Sequence, residues 1–319
     1  GWSTRFCSLR NVYMSKLNNL CPLCGLVDSS IKHGKDTKGR QRFLCKSCKR
    51  SYIKDSNTLK HLKVSDYIFK KFLGLMIDDT TIEVIARNLN VNTKTVNYWK
   101  FLVWFHEVLY YQDNIELHGT ILIDETFIPI RNKKYKIVKH ANKETRGISY
   151  NQLCIITMIN LEGISVAKVA SRAMALPHHY IDLFTNNIGY VERFIYDGNV
   201  RGFQFMKSFN VEYIDGKRDI NEKYSIDLVD HYHSILKRHI FKHNGFNIKN
   251  TQHYLNFFVY RQNYLSYNKT KNMRIKNKVK NKMIDDLFKI IKKADKKITY
   301  RDYMKDLGIE DILLSIKNK

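Results

Sequence analysis

The chain has 319 residues, of which 55 are Lys or Arg and 30 are Asp or Glu, giving a formal net charge of +25. This length predicts two or three domains, and a hydrophobic fraction of 44% excludes a disordered chain. No apolar run reaches the ~20 residues that span a bilayer, which excludes an integral membrane protein. The charge predicts a polyanionic partner, nucleic acid rather than an acidic membrane surface. An AT-rich genome would also raise the lysine content.

Four of the six cysteines form two tight pairs, Cys21-Pro-Leu-Cys24 and Cys45-Lys-Ser-Cys48. A two-residue gap lets both thiolates of a pair face one metal ion, and two pairs complete a tetrahedral site. The twenty residues between the pairs suit the short hairpin of a zinc ribbon. Because four cysteines leave no open coordination position, we predict a structural zinc ion.

The alternative for these cysteines is two disulfides in a secreted protein. Residues 1–14 lack the continuous apolar segment of a secretory signal, which favours a reducing compartment and therefore zinc. Met14 is a candidate for a natural start, and residues 1–13 would then be an upstream extension. Cys7 and Cys154 stand alone, and the apolar run around Cys154 predicts a buried side chain.

Basic residues surround the second cysteine pair, and we predict that they contact DNA phosphates. A solvated basic surface is the alternative. The residues are Lys38, Arg40, Arg42, Lys46, Lys49 and Arg50.

A helix-turn-helix unit is predicted after the cysteine-rich segment. Apolar residues recur at helical spacing over Ser65–Ile77 behind a capping serine. Thr80–Glu83 has the pattern of a capping box that opens a second helix. Asn90–Asn92 reads as a short turn, after which Asn92 or Thr93 caps a third helix.

Such a unit places the start of its second helix in a major groove of DNA. Asn can read adenine there, while Thr and Lys usually bind phosphate. We assign Val96, Trp99 and Val103 to the core, and a three-helix bundle without DNA contacts is the alternative. The residues predicted to be exposed towards DNA are Thr93, Lys94, Thr95, Asn97 and Tyr98.

From Thr120 onward the pattern predicts three strands, a helix, a strand, a helix, a strand and a long helix, the order of a ribonuclease H-like domain. Asp124 lies within the first of these strands and Asp197 at the end of the fourth. The first and fourth strands are adjacent in that fold, so the two carboxylates are expected to meet. The last helix offers Asp227 and Asp230 on one face.

Converging carboxylates have a chemical rationale. Hard cations such as Mg²⁺ prefer oxygen ligands, and two ions about 3.5–4 Å apart clamp both sides of a phosphoryl displacement. An acid within an apolar strand is costly without a partner or metal, which favours a site at Asp124. Asp197 before Gly198 is also what a simple turn requires. We predict a site for Mg²⁺ or Mn²⁺ at Asp124, Asp197 and Asp230.

The ordered motifs resemble those of the DDE transposases of bacterial insertion sequences that carry an N-terminal zinc ribbon. This is the ISXO-like group, which is related to the Merlin elements of eukaryotes. The resemblance extends from about Leu20 to Tyr267. The matching segments are Cys21–Cys24, Gln41–Cys48, Ile123–Thr126, Tyr196–Gly198, Val229–Lys237, Gln252–Phe258 and Arg261–Asn263.

The resemblance implies that Asp124 and Asp197 take the first two catalytic positions and Asp230 the third. This family fills the third position with Glu or Asn, so Asp230 is a departure. Because Asp is one methylene shorter than Glu, its helix has to approach the metals more closely. Asp227 and His231 are available to assist.

The resemblance also implies that Lys237 holds a phosphate near the metals, the alternative being an ordinary surface lysine. The implied activity is binding of the inverted-repeat ends of an element, metal-dependent cleavage there, and strand transfer by the freed 3′-hydroxyl. It implies double-stranded DNA as partner, a homodimer or higher oligomer, and a location at the nucleoid in a bacterial cytoplasm. The alternatives are a catalytically silent regulator and a nuclease that needs no inverted repeat.

We therefore predict a multidomain α+β protein. The domains are a zinc ribbon over 15–60, a helix-turn-helix domain over 61–112, a ribonuclease H-like α/β domain over 113–267, and a basic C-terminal arm and helix over 268–319. The arm is expected to be flexible up to about Met283, adding salt-sensitive affinity. Thr299–Ile316 is expected to pack on the catalytic domain or a second protomer. Four histidines are assigned structural or DNA-contacting roles: His178, His179, His231 and His233.

Overall fold

The computed structural model describes most of the chain from Cys21 to Ser315. Cys7, Met14 and the predicted end of the third helix near residue 110 lie outside the described residues. Among the described residues, no helix combines the length and apolarity needed to cross a membrane. The described residues are 21–24, 26, 28–53, 59, 62, 64–108, 111–136, 149–216, 225–243, 246–268, 273–294 and 298–315.

The N-terminal unit is a three-stranded antiparallel sheet of order β1-β2-β3, comprising β1 (Ser30–Lys35), β2 (Gln41–Cys45) and β3 (Ser51–Ile53). The turn between β1 and β2 forms because Asp36 Oδ1 accepts hydrogen bonds from the backbone N–H groups of two later residues in the turn. Gly39 supplies the positive φ of 77° that the turn requires. The predicted hairpin between the cysteine pairs is confirmed.

Three helices follow: α1 (Asp66–Ile77), α2 (Ile82–Leu89) and α3 (Thr93–Val103), which continues into a π-helical turn at Trp104–Val108. The predicted caps of α1 and α3 are confirmed, since Ser65 Oγ and Asn92 Oδ1 accept from backbone N–H groups of the first turns. The predicted capping box of α2 is wrong, because Thr81 is its N-cap and makes no side-chain cap bond. Val96, Trp99 and Val103 are buried as predicted.

A five-stranded mixed sheet forms the centre of the molecule, with strand order β6-β5-β4-β7-β8. β4 pairs antiparallel with β5, and β5 with β6, whereas β4–β7 and β7–β8 are parallel. The predicted order of elements and the adjacency of the first and fourth strands are both confirmed. The strands are β4 (Leu117–Pro129), β5 (Gln152–Asn160), β6 (Ser165–Arg172), β7 (Ile188–Tyr196) and β8 (Glu212–Asp215).

The remaining helices alternate with these strands or follow the last of them. They are α4 (Pro177–Phe184), α5 (Phe203–Lys207), α6 (Asp227–Lys242), α7 (Thr251–Tyr267), α8 (Met273–Lys293), α9 (Tyr300–Lys305) and α10 (Glu310–Leu314). Single 3₁₀ turns lie at Gln112–Asn114, Thr185–Asn187, Val200–Gly202 and Ile248–Asn250. α6 packs on β4 and β5, and α7 packs on β6.

One apolar core extends from Leu59 to Leu313, through the three-helix bundle and the sheet, whereas the N-terminal unit has a small core of its own. The prediction of a flexible arm up to Met283 is wrong, because α8 begins at Met273 and packs on α1. Apolar residues of α8 such as Leu287 and Ile291 are fully buried, which fixes this lysine-rich helix. Three ion pairs join α8 to α1 and to the turn after it: Lys70–Asp285 at 2.7 Å, Lys280–Asp78 at 2.5 Å and Lys292–Asp66 at 2.6 Å.

The segment from Ile298 to Ser315 lies across several distant parts of the chain, so it packs on its own molecule. The Tyr98 hydroxyl of α3 donates to the Ile298 carbonyl at 2.7 Å. Further contacts link this segment to the β4–β5 connection, to β6 and to α7. They are Lys134 with Glu310 at 2.7 Å, Arg172 with the Leu313 carbonyl, and His253 with Asp306 at 2.9 Å.

A buried polar cluster joins the helical bundle to the C-terminal half of α6. Asp79, in the turn between α1 and α2, accepts hydrogen bonds from His239 Nδ1 at 2.5 Å and His243 Nε2 at 2.8 Å. Arg261 of α7 lies 3.8 Å from the same carboxylate, and buried Lys100 of α3 lies close by. Burial lowers the pKa of His239 to about 4 and also lowers that of His243. Burial opposes the shift at Asp79, but the two imidazole bonds hold its pKa below the usual value.

The cluster predicts acid-sensitive stability. The cluster makes its full contribution to the free energy of unfolding above the ordinary histidine pKa of about 6.5, because both imidazoles are then neutral. As the pH falls from 6.5 towards 4, the histidines become protonated in the unfolded chain, whereas the buried imidazoles of the folded protein stay neutral. The free energy of unfolding is therefore expected to drop by on the order of 2–3 kcal/mol over this range. Urea titrations followed by fluorescence of the buried Trp99 and Trp104 measure it.

His239→Gln is expected to flatten this pH dependence, because Gln carries no proton that titrates. The exposed His118, substituted by Gln, is the matched control and should leave the slope unchanged. Equal slopes for His239→Gln and the wild-type protein would contradict this reading of the cluster.

Candidate functional site

The four paired cysteines converge on one point at the base of the N-terminal sheet. Cys21 Sγ lies 3.9 Å from Cys48 Sγ, and Cys24 Sγ lies 3.6 Å from Cys45 Sγ. All four sulfurs lie within 4.8 Å of one another. A tetrahedral zinc ion with Zn–S bonds of about 2.3 Å requires S···S separations of about 3.8 Å. The arrangement therefore fits a zinc ion bound by four thiolates.

Neighbouring groups favour ionised sulfur at this site. The Ser29 hydroxyl lies 3.1 Å from Cys45 Sγ, and its hydrogen bond lowers the pKa of that thiol to about 5. Arg50 donates to the Leu23 carbonyl at 2.7 Å, which ties the two cysteine loops together. Burial raises the pKa of Cys21, which disfavours its thiolate where no cation compensates.

A second constellation is centred on two neighbouring strands of the large sheet. The last parallel pair between β4 and β7 joins Ile123 to Tyr196, so Asp124 and Asp197 follow side by side. Asp197 Oδ1 accepts from the Asn199 backbone N–H at 3.0 Å, which closes a tight turn. Gly198 in this turn has a φ of 84°. Asp197 therefore serves the turn and also lines the space next to Asp124.

The long helix α6 brings two more side chains to Asp124. Oxygens of Asp124 and Asp230 and a ring nitrogen of His233 all lie within 4.8 Å of one another. His233 Nδ1 is 3.2 Å from Asp124 Oδ2, and the two side chains are 7% and 13% exposed. The structure thus brings Asp230 to Asp124, whereas Asp227 and His231 are exposed on α6 outside this group. The three-residue spacing of Asp230 and His233 places both on one side of α6, but that spacing does not reveal Asp124 as their partner.

An open pocket of about 370 Å³ lies beside Asp124 of β4 and the turn that follows β7. Glu125 and Arg201, which the sequence analysis did not single out, form an ion pair at 3.1 Å on its wall. Burial raises the pKa of Glu125, and a hydrogen bond from the Tyr180 hydroxyl opposes the rise. The full lining is Asp124, Glu125, Phe127, Asp197, Gly198, Asn199 and Arg201.

Of the three predicted acids, Asp124 and Asp197 line this pocket, whereas Asp230 meets Asp124 from α6 and does not line it. Among the described residues, the group with ligand atoms within 4.8 Å of one another contains Asp124, Asp230 and His233 but not Asp197. Carboxylate oxygens are the ligands that Mg²⁺ and Mn²⁺ prefer.

The residues predicted to face DNA on α3 divide into two groups. Thr93 and Lys94 are exposed, and Thr95 and Asn97 are half-buried. Tyr98 contradicts its prediction, because its hydroxyl bonds to Ile298 and its ring packs against Tyr300. A tyrosine engaged in this way is not part of an exposed reading surface.

On α6, Lys237 is half-buried. It lies seven residues after Asp230 and therefore on the same side of the helix.

Comparison with known proteins adds two findings. The family model described as the InsA N-terminal domain, a zinc ribbon, matches residues 14–49. The N-terminal unit is a zinc ribbon. The crystal structure of a pre-cleavage Mos1 transpososome aligns at a TM-score of 0.29 and 13% identity, covering 74% of this chain and 80% of that chain. Similarity at that TM-score supports no assignment of fold or function by itself.

The zinc ribbon uses some of its basic residues internally. Arg40 pairs with Asp36 at 2.7 Å and Arg42 donates to the Ser51 hydroxyl at 3.0 Å. Lys46 and Lys49 are exposed. The positive charge of the zinc ribbon that is open to an anionic partner therefore lies mainly on its lysines.

Proposed function

We propose that the protein is a DDE-type DNA transposase of the ISXO-like group, which cleaves and joins DNA strands at the ends of an insertion sequence. One observation carries the proposal. Asp124 lies within β4 and Asp197 directly follows the adjacent parallel strand β7, both beside a common pocket, and α6 brings Asp230 to Asp124. We assign residues 113–267 to a ribonuclease H-like domain, in keeping with the strand order and the position of these acids.

In this proposal Asp124, Asp197 and Asp230 hold two Mg²⁺ or Mn²⁺ ions. Bound ions would lower the pKa of the attacking water or 3′-hydroxyl and stabilise the leaving oxygen. The chain's own residues fix the geometry. His233 orients Asp124 through their 3.2 Å contact, and Lys237 neutralises phosphate charge from the same side of α6.

DNA binding is assigned to the zinc ribbon (15–60) and to a helix-turn-helix domain (61–112). Thr93, Lys94, Thr95 and Asn97 would enter a major groove, while Lys46 and Lys49 contact phosphates. The C-terminal helices α8 and α9 pack on helices of the 61–112 domain. Synapsis of two element ends calls for at least a homodimer at the bacterial nucleoid.

The test is a cleavage and strand-transfer assay with the full chain. The DNA flanking the gene supplies the candidate inverted repeats, and a scrambled repeat is the matched control. We expect nicking at the repeat and joining to a target duplex with Mg²⁺ or Mn²⁺, and neither reaction with EDTA.

Two outcomes would contradict the proposal. Footprints on the repeat without nicking would favour a catalytically silent, transposase-derived regulator. Such a regulator is the second candidate for two reasons. Asp230 departs from the Glu or Asn of the family at the third position, and His233 already contacts Asp124. Equal cleavage of repeat and scrambled DNA would indicate a nuclease of the same fold.

A further inference from the structure

A buried acidic side chain, Glu125, lies beside the proposed metal site. Asp124 and Glu125 are neighbours on β4, so their side chains point to opposite faces of the sheet. Asp124 meets α6, whereas Glu125 meets Tyr180 of α4. The Glu125 side chain is 4% exposed, and a carboxylate at that depth requires strong partners.

Both carboxylate oxygens of Glu125 are engaged. The Tyr180 hydroxyl donates to Oε1 at 2.5 Å, and Arg201 Nη1 donates to Oε2 at 3.1 Å. Tyr180 is itself buried. Because Tyr180 fixes the Glu125 carboxylate, this carboxylate orients the Arg201 guanidinium better than a solvated carboxylate would.

Further contacts restrain Arg201. Its Nη2 donates to Met174 Sδ at 2.8 Å, and its backbone N–H donates to Asn199 Oδ1 at 3.2 Å. The backbone N–H of Asn199 in turn donates to Asp197 Oδ1. The turn that carries the second metal-binding acid therefore also carries the arginine, so the two side chains hold a fixed relation.

Arg201 is the cation among the described residues that line the pocket. The guanidinium has five N–H groups, and the contacts to Glu125 and Met174 use two. The Arg201 side chain is 28% exposed and lines the same pocket as Asp124 and Asp197. A guanidinium matches the fork geometry of phosphate oxygens.

We infer that Arg201 binds a nonbridging oxygen of the DNA phosphodiester that enters this pocket, and that Glu125 and Tyr180 are positioning residues for its guanidinium. The inference rests on the proposed function and adds a substrate contact to it. The competing explanation is structural: Arg201 only neutralises the buried Glu125. The two explanations differ in what happens when both members of the pair are removed.

Three variants separate them. Arg201→Gln is expected to slow cleavage by about 10²-fold, the usual cost of one lost transition-state donor. Glu125→Gln keeps the cation but loosens it, and should cost less. The double variant Glu125→Gln/Arg201→Gln leaves no unpaired buried charge, so a purely structural role predicts recovery towards the wild-type rate. Phosphate binding predicts that the double variant stays as slow as Arg201→Gln.

The matched control is the Arg193–Glu212 ion pair between β7 and β8, at 3.6 Å. It belongs to the same sheet but does not line the pocket. The control variant Arg193→Gln/Glu212→Gln should cleave at close to the wild-type rate.

A neutral methylphosphonate at the phosphates around the cleavage site tests the contact directly. Affinity for this duplex and for the normal one is measured with Ca²⁺, so that binding is read separately from cleavage. Arg201→Gln should bind the normal duplex more weakly than the wild-type protein does. The two proteins should bind with equal affinity to the duplex whose contacted phosphate is neutral. An equal loss on every duplex, or recovery of cleavage by the double variant, overturns the inference. Absence of cleavage by the wild-type protein with Mg²⁺ and Mn²⁺ contradicts the proposed function instead, and the Ca²⁺ comparison still decides whether Arg201 binds phosphate.

Discussion

Asp124→Asn is expected to slow strand cleavage by at least ~10³-fold while leaving the affinity for end-containing DNA close to that of the wild-type protein. Asn has the size of Asp but lacks its charge, and the loss of several kcal/mol of metal-dependent stabilisation corresponds to this factor. Fold and stability should change little, because the amide fills the same space beside His233. Single-turnover cleavage of a labelled duplex with Mg²⁺ measures the rate, and a mobility-shift assay measures the affinity.

Asp113→Asn is the matched control for this experiment. Asp113 is exposed, forms an ion pair with Lys168 at 3.2 Å and does not line the pocket. Its rate should equal that of the wild-type protein. If Asp124→Asn cleaved as fast as this control, the metal site would have to be abandoned.

Cys45→Ser is expected to abolish the binding of one zinc ion per chain and to unfold the zinc ribbon alone. The ribbon's own core consists of Cys21, Cys45 and Tyr52 with three partly buried neighbours, too few apolar contacts to fold without metal. Structural zinc contributes about 10–16 kcal/mol to folding in zinc-finger peptides. Zinc analysis gives the stoichiometry, and hydrogen exchange over residues 30–53 reports on the ribbon.

Cys154→Ala provides the comparison for the zinc experiment. Cys154 is fully buried in β5, within the main core. This variant should retain one zinc ion and slow exchange in the ribbon. Retention of zinc by Cys45→Ser, or an unfolding transition of the main core in that variant, would show that the ribbon is not an independent metal-dependent unit.

The sequence predicted the features that depend on local pattern. Cysteine spacing indicated the zinc ribbon, because thiolates two residues apart can face one ion. The apolar pattern placed Asp124 and Asp197 on predicted strands, and the order of the elements, that of a ribonuclease H-like domain, predicted that these strands are adjacent. The pairing of Ile123 with Tyr196 confirms that adjacency.

The features that the sequence missed depend on contacts between distant segments. His233 meets Asp124 only because α6 packs on β4, and Tyr180 reaches Glu125 from a helix 55 positions away. Tyr98 was wrongly predicted to face DNA because its hydrogen-bond partner lies 200 positions later in the chain, where the local pattern does not reveal it. No local period reports such pairings.

The C-terminal segment has a consequence for biosynthesis. Tyr98 is made 200 residues before the carbonyl that receives its hydrogen bond. At a synthesis rate of roughly 5–20 residues per second, α3 waits on the order of 10–40 s for this contact. The helical bundle therefore lacks this hydrogen bond until the ribosome has added 200 residues beyond Tyr98.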